Sequence, residues 1–206
     1  MPVNYGNLND MHIDVLQEIG NIGTGNAVTA LAKMLNKKVK MSCPVIKLVD
    51  FKDIANSVGG AETLVTGILV SISGEINGIM MFIVQQDSVY NLLKMLLGDM
   101  ISDGFLEFSD MELSALQEIG NIMSSSYLSS LGSLTNKKIK PSIPYLAMDM
   151  ANAILSVPAI EFSKVSDKVL FIESVFSAEG RNVSGYFLLV PDMPSFNIIM
   201  AALGVE

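Results

Sequence analysis

Apolar and small side chains recur every three or four residues along two stretches of the chain, which predicts two long amphipathic helices. Asn9 or Asp10 is a good N-cap for the first helix, and Ser109 or Asp110 for the second. The face expected to lie on the core carries Ile13, Leu16, Gly20, Gly23, Ala27, Leu31 and Met34 in the first helix. In the second helix it carries Leu113, Leu116, Gly120, Met123, Leu131 and Leu134.

The opposite face of each predicted helix is polar. It carries Asp14, Glu18, Asn21 and Gly25 in the first helix, and Ser114, Glu118, Asn121 and Ser125 in the second. For a single residue, a solvated helix surface is the ordinary interpretation. The Glu–Asn pair is nevertheless kept in both helices, although asparagine is a mediocre helix former and other exposed positions differ, as in Lys33 and Ser133. The pair therefore indicates a docking surface, approachable because its neighbours are small.

Apolar alternation and β-branched residues predict strands in "TLVTGILVSIS", from Thr63, and in "KVLFIESVFSA", from Lys168. Each half of the chain is read as a long helix, a strand through a proline, a short helix, two adjoining strands and a closing helix. Gly78 and Gly185 are expected at the hairpin between the last two strands of each half.

The heptapeptide "LQEIGNI" occurs twice, from Leu16 and from Leu116. Around it, residues 14–44 align with residues 114–144 without a gap, and 14 of these 31 positions are identical. We therefore predict one α+β domain over residues 1–206, built from a first repeat at 9–100 and a second at 108–206. The two repeats are expected to be related by a pseudo-two-fold axis and to share a largely antiparallel sheet, with two long exposed helices.

Charge and hydropathy limit the possible functions. The formal net charge is −8, and without a basic face the chain is not expected to bind nucleic acid. Mean hydropathy is +0.46, yet the most apolar region, residues 63–84, is interrupted by Glu75, Asn77 and three glycines. It is therefore read as a strand pair rather than a membrane segment. The N-terminus has no cationic flank and no apolar core of a signal peptide, so we expect a cytoplasmic protein.

Few side chains offer metal or nucleophile chemistry. One cysteine, Cys43, and one histidine, His12, cannot form a disulfide framework or a His/Cys metal cluster. Ile143 aligns with Cys43, so a buried apolar role is predicted for the cysteine. The segment "GNIGTGNA", from Gly20, is a weak candidate for a phosphate-binding loop, because no strand precedes it and its second copy has Met123 and Ser125.

Two motifs carry a family resemblance: Asp14-x3-Glu18-x2-Asn21-x22-Pro44 and Ser114-x3-Glu118-x2-Asn121-x22-Pro144. They resemble the paired signature of the CheC-type chemotaxis phosphatases, and the resemblance covers nearly the whole chain. In this family the CheX proteins keep one active copy and FliY adds a further domain, so the chain is most similar to the CheC branch.

The resemblance implies hydrolysis of the aspartyl phosphate of the response regulator CheY. It implies that Glu18 and Glu118 pair with a lysine of the regulator, and that Asn21 and Asn121 orient the attacking water. Asp14 and Ser114 open the motif, and Pro44 and Pro144 are expected to be structural. No cofactor of the chain's own is implied, since Mg²⁺ is expected on the partner.

Two alternatives stay open at this point. The first is a non-catalytic adaptor that binds and regulates CheD, a receptor deamidase; the resemblance places this contact on a helix near residues 149–157. The apolar face of that helix, formed by Met150, Ala153, Ile154 and Val157, could equally be core. The second is a small-molecule-binding domain that uses the glycine-rich segment.

Overall fold

A computed structural model describes residues 8–101, 108–162 and 168–205. The helices are α1 (Asp10–Leu35), α2 (Ile54–Ser57), α3 (Gln86–Leu97), α4 (Asp110–Thr135), α5 (Ala151–Phe162) and α6 (Met193–Ala202). The strands are β1 (Lys40–Met41), β2 (Val45–Asp50), β3 (Leu64–Gly74), β4 (Gly78–Gln85), β5 (Ile139–Pro141), β6 (Tyr145–Met150), β7 (Lys168–Ala178) and β8 (Arg181–Pro191). Short 3₁₀ turns cover Phe51–Asp53 and Gly98–Met100.

The long helices α1 and α4 begin where their capping residues predict. In α1, the Asn9 side chain accepts a hydrogen bond from the His12 amide and the Asn9 amide donates one to His12 Nδ1, both at 3.0 Å. In α4, Ser109 and Glu112 form the same reciprocal arrangement, and the Ser109 amide donates to the Glu112 carboxylate at 2.7 Å. Each capping box satisfies amides that the first helical turn would otherwise leave unpaired.

One antiparallel sheet is shared by both repeats, as predicted. Its strands follow the order β1–β7–β8–β4–β3–β5, with β2 also pairing with β7 and β6 with β3. β2 of the first repeat thus lies on a strand of the second repeat, and β6 of the second repeat lies on a strand of the first. This exchange explains why neither half alone completes a sheet.

The pseudo-two-fold axis can be located from the strand ladders. β1 pairs with β7 and its counterpart β5 pairs with β3, and the two registers make Ser177 the counterpart of Ser73. Carried through the two hairpin ladders, this correspondence makes Phe187 the counterpart of Phe82. Phe82 and Phe187 are also direct partners in the β4–β8 ladder, so the axis passes between these two side chains at the centre of the sheet.

Two details of the strand prediction are wrong. The strand through each proline is interrupted: Pro44 separates β1 from β2 and Pro144 separates β5 from β6, because proline has no amide hydrogen to offer a ladder. Gly185 lies within β8, whereas the β7–β8 hairpin turns at Glu179 and Gly180. Gly78 does begin β4, directly after a hairpin turn.

Apolar clusters cover both faces of the sheet. One cluster lies under α1, α3, α4 and α6 and includes Leu16, Leu116 and Phe82. A smaller one lies under α2 and α5 and includes Ile83 and Ile154. Alternate residues of β4 enter opposite clusters, which is the expected result of the two-residue period of a strand.

The buried arc of each long helix is wider than predicted. Ile13, Met34, Leu113 and Leu134 are only half-buried, whereas Ile19, Thr24, Val28 and Leu35 are also buried in α1. The reason is that α1 packs on the sheet and on α4 at the same time. A Cβ on Gly20 would meet the Ile46 side chain, one on Gly120 would meet Ile68, and one on Gly23 would meet the ring of Tyr127.

The predicted burial of Cys43 is wrong. Cys43 is exposed, and its counterpart Ile143 is 80% exposed. Both residues lie in the connection between two strand segments, directly before a proline, where no strand or helix among the described residues covers the side chain.

Equivalent ion pairs join the repeats at both ends of the sheet. Lys37 Nζ lies 2.9 Å from Glu179, and Lys137 Nζ lies 3.4 Å from Glu75. A hydrogen bond from the Lys138 amide, aided by the Lys137 charge, lowers the pKa of Glu75. In the described part of the chain, no helix has the length and apolarity required to cross a membrane.

Candidate functional site

The first Glu–Asn pair lies on the outer surface of α1. Asp14 and Glu18 are exposed and Asn21 is half-buried. Spacings of four and three residues place the three side chains on one face of the helix. Asn21 is therefore at the surface and is not enclosed by the core, although its Oδ1 atom is covered and has no hydrogen-bond partner among the described residues.

The second pair lies in the corresponding place on α4. Ser114 and Glu118 are exposed, and Asn121 is half-buried. Here the Ser125 hydroxyl lies 3.4 Å from Asn121 Oδ1, one helical turn away, and donates to it. Gly25 occupies the corresponding position on α1, so Asn21 has no such donor.

A groove runs beside the second pair. It has a volume of about 410 Å³ and is lined by residues that include Ser114, Gln117, Glu118, Asn121, Ile143 and Pro144. One wall is the polar face of α4 and the other is the connection between β5 and β6. A second groove of about 530 Å³, which includes Gln117, Ile143 and Tyr145, adjoins it.

The motif prolines lie in the connections between the strand segments that follow each long helix. Pro144 is buried, and its carbonyl accepts a hydrogen bond from Gln117 Nε2 at 2.9 Å. Pro44 is half-buried at the corresponding place. The adjacent serines anchor both connections to the sheet, because the Ser42 and Ser142 amides donate to Val175 and Ser71 carbonyls, each at 2.9 Å.

The glycine-rich segment is not a phosphate-binding loop. Gly20, Gly23 and Gly25 all lie inside α1, where backbone amides are committed to carbonyls one turn earlier. Gly20 and Gly23 are buried, and a larger side chain at either position would collide with the sheet or with α4. The geometry therefore gives no support to nucleotide binding at this segment.

Comparison with known proteins places these motifs in a family. A model described as the CheC-like family matches residues 11–48 and 111–146, which contain both Glu–Asn pairs and both motif prolines. The chain is also 32% identical over 205 residues to "CheY-P phosphatase CheC" of Bacillus subtilis (strain 168), and the match covers 98% of each chain. The chain belongs to the CheC-like family.

Two further similarities extend beyond CheC itself. "Flagellar motor switch phosphatase FliY" of the same bacterium is 29% identical over 137 residues, covering 66% of this chain and 35% of FliY. The crystal structure of Thermotoga maritima FliY superimposes with a TM-score of 0.74 at 20% identity, covering 95% of this chain and 97% of the other. The second similarity shows that the chain has the fold of that structure.

The motifs of this CheC-like protein predict the Glu–Asn pairs but not the residues that surround the second pair. Gln117 was visible only as part of the repeated heptapeptide, and its bond to Pro144 depends on the fold. The predicted strand through Pro144 includes Ile143 and Tyr145; Tyr145 does begin β6, whereas Ile143 lies between β5 and β6. The 80% exposure of both side chains was not predicted.

Proposed function

We propose that this chain hydrolyses the aspartyl phosphate of a CheY-type response regulator at two sites, one on α1 and one on α4. Family membership supports the reaction class, since the relative that is 32% identical over 205 residues is named a CheY-P phosphatase. The observation that carries the proposal is the surface position of both pairs. Glu18 and Glu118 are exposed, and Asn21 and Asn121 are half-buried beside them.

Hydrolysis of an aspartyl phosphate requires few catalytic groups from this chain. An aspartyl phosphate is a mixed anhydride and is already prone to hydrolysis, so most of the remaining catalysis is positioning and electrostatics. A carboxamide both donates and accepts hydrogen bonds and does not titrate. In the proposal, Asn21 or Asn121 holds a water molecule in line with the phosphorus, and the water attacks to release inorganic phosphate.

The glutamates have a binding role in this proposal. A carboxylate three residues before the asparagine, on the same face of the helix, can pair with a lysine beside the phosphorylated aspartate. This ion pair fixes the rotation of the regulator relative to the helix, and orientation of reacting groups contributes several kcal/mol to rate enhancement. Asp14 and Ser114, one turn earlier, lie where they can contact the rim of the partner.

The metal ion belongs to the partner in this scheme. Mg²⁺ held by the regulator would neutralise charge on the phosphoryl group. In the described ranges, no three His, Cys, Asp or Glu side chains lie together as a metal site.

The test is phosphate release from a phosphorylated CheY protein in the presence of Mg²⁺. The Asn21→Ala/Asn121→Ala variant should slow phosphate loss by at least two orders of magnitude towards the spontaneous rate, as removal of a positioning amide does elsewhere. Asn152→Ala, which changes an exposed asparagine on α5, is the matched control and should retain wild-type activity. An unchanged decay rate with the wild-type protein, even with CheD present, would instead favour the adaptor function.

A second candidate function, binding of a regulatory protein, has an observation of its own. Four apolar residues at or near α5 form the face on which the CheD contact is expected. Ile154 is buried, whereas Met150, Ala153 and Val157 are exposed. Ile160 adds a further side chain that is 71% exposed. Exposed apolar residues that lie together mark protein contacts, and CheD is the partner that the family resemblance implies.

The Val157→Ser/Ile160→Ser variant tests this second candidate. We expect the dissociation constant for CheD, measured by calorimetry, to rise about tenfold, in line with the loss of an apolar hot spot. Dephosphorylation without CheD should be unchanged. CheD binding that is equal for the variant and the wild type would contradict this assignment.

A further inference from the structure

Two large side chains next to the second Glu–Asn pair are exposed to solvent. Ile143 and Tyr145 are each 80% exposed. Single exposed apolar residues are common on protein surfaces. These two differ because they flank the buried Pro144. Ile143 lines the groove that contains Glu118 and Asn121, and both side chains line the second groove beside it.

The backbone that carries them is fixed on both sides. The Ser142 amide donates to the Ser71 carbonyl at 2.9 Å, and the Ser71 amide donates to Ser142 Oγ at 3.0 Å. Gln117, on α4, donates to the Pro144 carbonyl at 2.9 Å. Ile143 and Tyr145 therefore extend from a segment that is tied to the sheet and to the catalytic helix, and little backbone entropy would be lost when a partner covers them.

We infer that Ile143 and Tyr145 form a hydrophobic anchor for the response regulator at the second site. The inference rests on the proposed function and deepens it by naming an affinity determinant. The occupant follows from continuity, since Ile143 lines the same 410 Å³ groove as Glu118 and Asn121. A protein that brings its phosphoryl group to Asn121 must cover this groove and the side chains on its rim.

The anchor distinguishes the two sites. Cys43 and Val45 occupy the corresponding positions beside the first pair. Both are exposed, Val45 to 45%, yet together they offer less apolar area than isoleucine and tyrosine. Tyrosine is also enriched among residues that dominate binding energy. The second site should therefore bind the regulator more tightly, with the same Glu–Asn chemistry.

The test uses single-site backgrounds of the whole chain. Asn21→Ala leaves only the second site and Asn121→Ala only the first. In the Asn21→Ala background, Ile143→Ser/Tyr145→Ser should raise KM for phosphorylated CheY about tenfold and leave kcat within twofold, because the anchor contributes equally to ground-state and transition-state binding. In the Asn121→Ala background the same substitutions should change neither constant.

Two further variants guard against trivial explanations. Val157→Ser/Ile160→Ser removes exposed apolar side chains elsewhere and should leave KM unchanged. Cys43→Ile/Val45→Tyr places the anchor beside the first site and should lower KM severalfold in the Asn121→Ala background. This gain cannot result from misfolding.

The outcomes separate the inference from the proposed function. If Asn21→Ala/Asn121→Ala abolishes catalysis but the Ile143 and Tyr145 substitutions leave KM unchanged, the anchor is refuted and the phosphatase stands. If the asparagine variant retains full activity, the proposed function fails. A wild-type dimer that the Ile143 and Tyr145 substitutions convert to monomer in sedimentation would assign the patch to a second copy of the chain and overturn the anchor.

Discussion

Ser125 donates a hydrogen bond to Asn121 Oδ1 at 3.4 Å, and Gly25 occupies the corresponding position beside Asn21. The carbonyl end of one amide is thus held within its own helix, while Oδ1 of the other has no partner in the described structure. Because the carbonyl and the NH₂ group belong to one planar amide, a held carbonyl also fixes the direction of the N–H groups. The two sites share the same Glu–Asn pair but differ in how firmly the asparagine is oriented.

This difference predicts opposite effects of two substitutions on kcat. In the Asn21→Ala background, Ser125→Gly should lower kcat about fivefold, the equivalent of a hydrogen bond worth about 1 kcal/mol. In the Asn121→Ala background, Gly25→Ser should raise kcat by a similar factor. A Cβ fits at Gly25, where nothing lies within 4 Å.

The control for this pair is Gly25→Ala, which adds the Cβ and the helix propensity without the hydroxyl. It should leave kcat of the first site unchanged. Equal kcat gains from alanine and serine would show that helix stability, and not orientation of Asn21, accounts for the effect. Single-turnover phosphate release is the appropriate measurement.

The assignment of Glu18 and Glu118 to a lysine of the partner predicts a salt effect on binding. Glu118→Gln in the Asn21→Ala background should raise KM and weaken its dependence on ionic strength, because an exposed ion pair at an interface is screened by salt. Glu62→Gln, which changes an exposed glutamate just before β3, is the control. A KM that stays equally salt-dependent after Glu118→Gln would contradict the ion pair.

The repeat made much of the fold predictable. Identity between residues 14–44 and 114–144 predicted two equivalent helices, and the strand alternation from Thr63 and Lys168 predicted the shared sheet. The order and register in which the strands pair could not be predicted in the same way. The exchange of β2 and β6 between repeats depends on long-range ladders, which leave only their apolar alternation in the sequence.

The sequence predicts the site residues whose positions are fixed by helix spacing, but not those that lie in the connections between strands. Glu118 and Asn121 follow from their separation on a helix. Cys43 was placed in the core because its counterpart is isoleucine, but the sequence does not reveal that both residues lie in a break between two strand segments. Burial of such a residue is decided by what covers it, and here nothing in the described structure does.

Close packing of α1 against α4 predicts a large difference between two neighbouring glycines. A Cβ on Gly23 would lie 2.5 Å from Cε2 of Tyr127, whereas one on Gly25 meets nothing within 4 Å. Gly25→Ala should raise the free energy of unfolding by up to about 1 kcal/mol through helix propensity. Gly23→Ala gains the same propensity but should lower stability by about 1–3 kcal/mol through overpacking.

Urea unfolding followed by circular dichroism measures both glycine variants. Gly23→Ala/Tyr127→Leu should be less destabilised than the sum of its two single variants, because the smaller side chain makes room for the methyl group. Additive effects of the two substitutions would mean that the helices do not meet at this contact.

Tyr127 predicts a stability change that depends on pH. Its side chain is fully buried and its hydroxyl has no partner within the described residues, which costs about 1–3 kcal/mol. Tyr127→Phe should therefore raise the free energy of unfolding at pH 7 by about 1 kcal/mol. Burial also raises the pKa of Tyr127, so the folded protein retains this proton where the unfolded chain loses it.

The sign of the alkaline effect follows from that shift. Below the unfolded pKa of about 10, both states carry the proton and the stability difference between Tyr127→Phe and wild type is constant. Above this pKa, only the unfolded wild-type chain loses the Tyr127 proton. The difference in free energy of unfolding between Tyr127→Phe and wild type should therefore grow by about 1.4 kcal/mol per pH unit. Tyr145→Phe, at a tyrosine that is 80% exposed, should show no such growth. A Tyr127→Phe curve parallel to wild type from pH 9 to pH 11 would show that the hydroxyl is not sequestered.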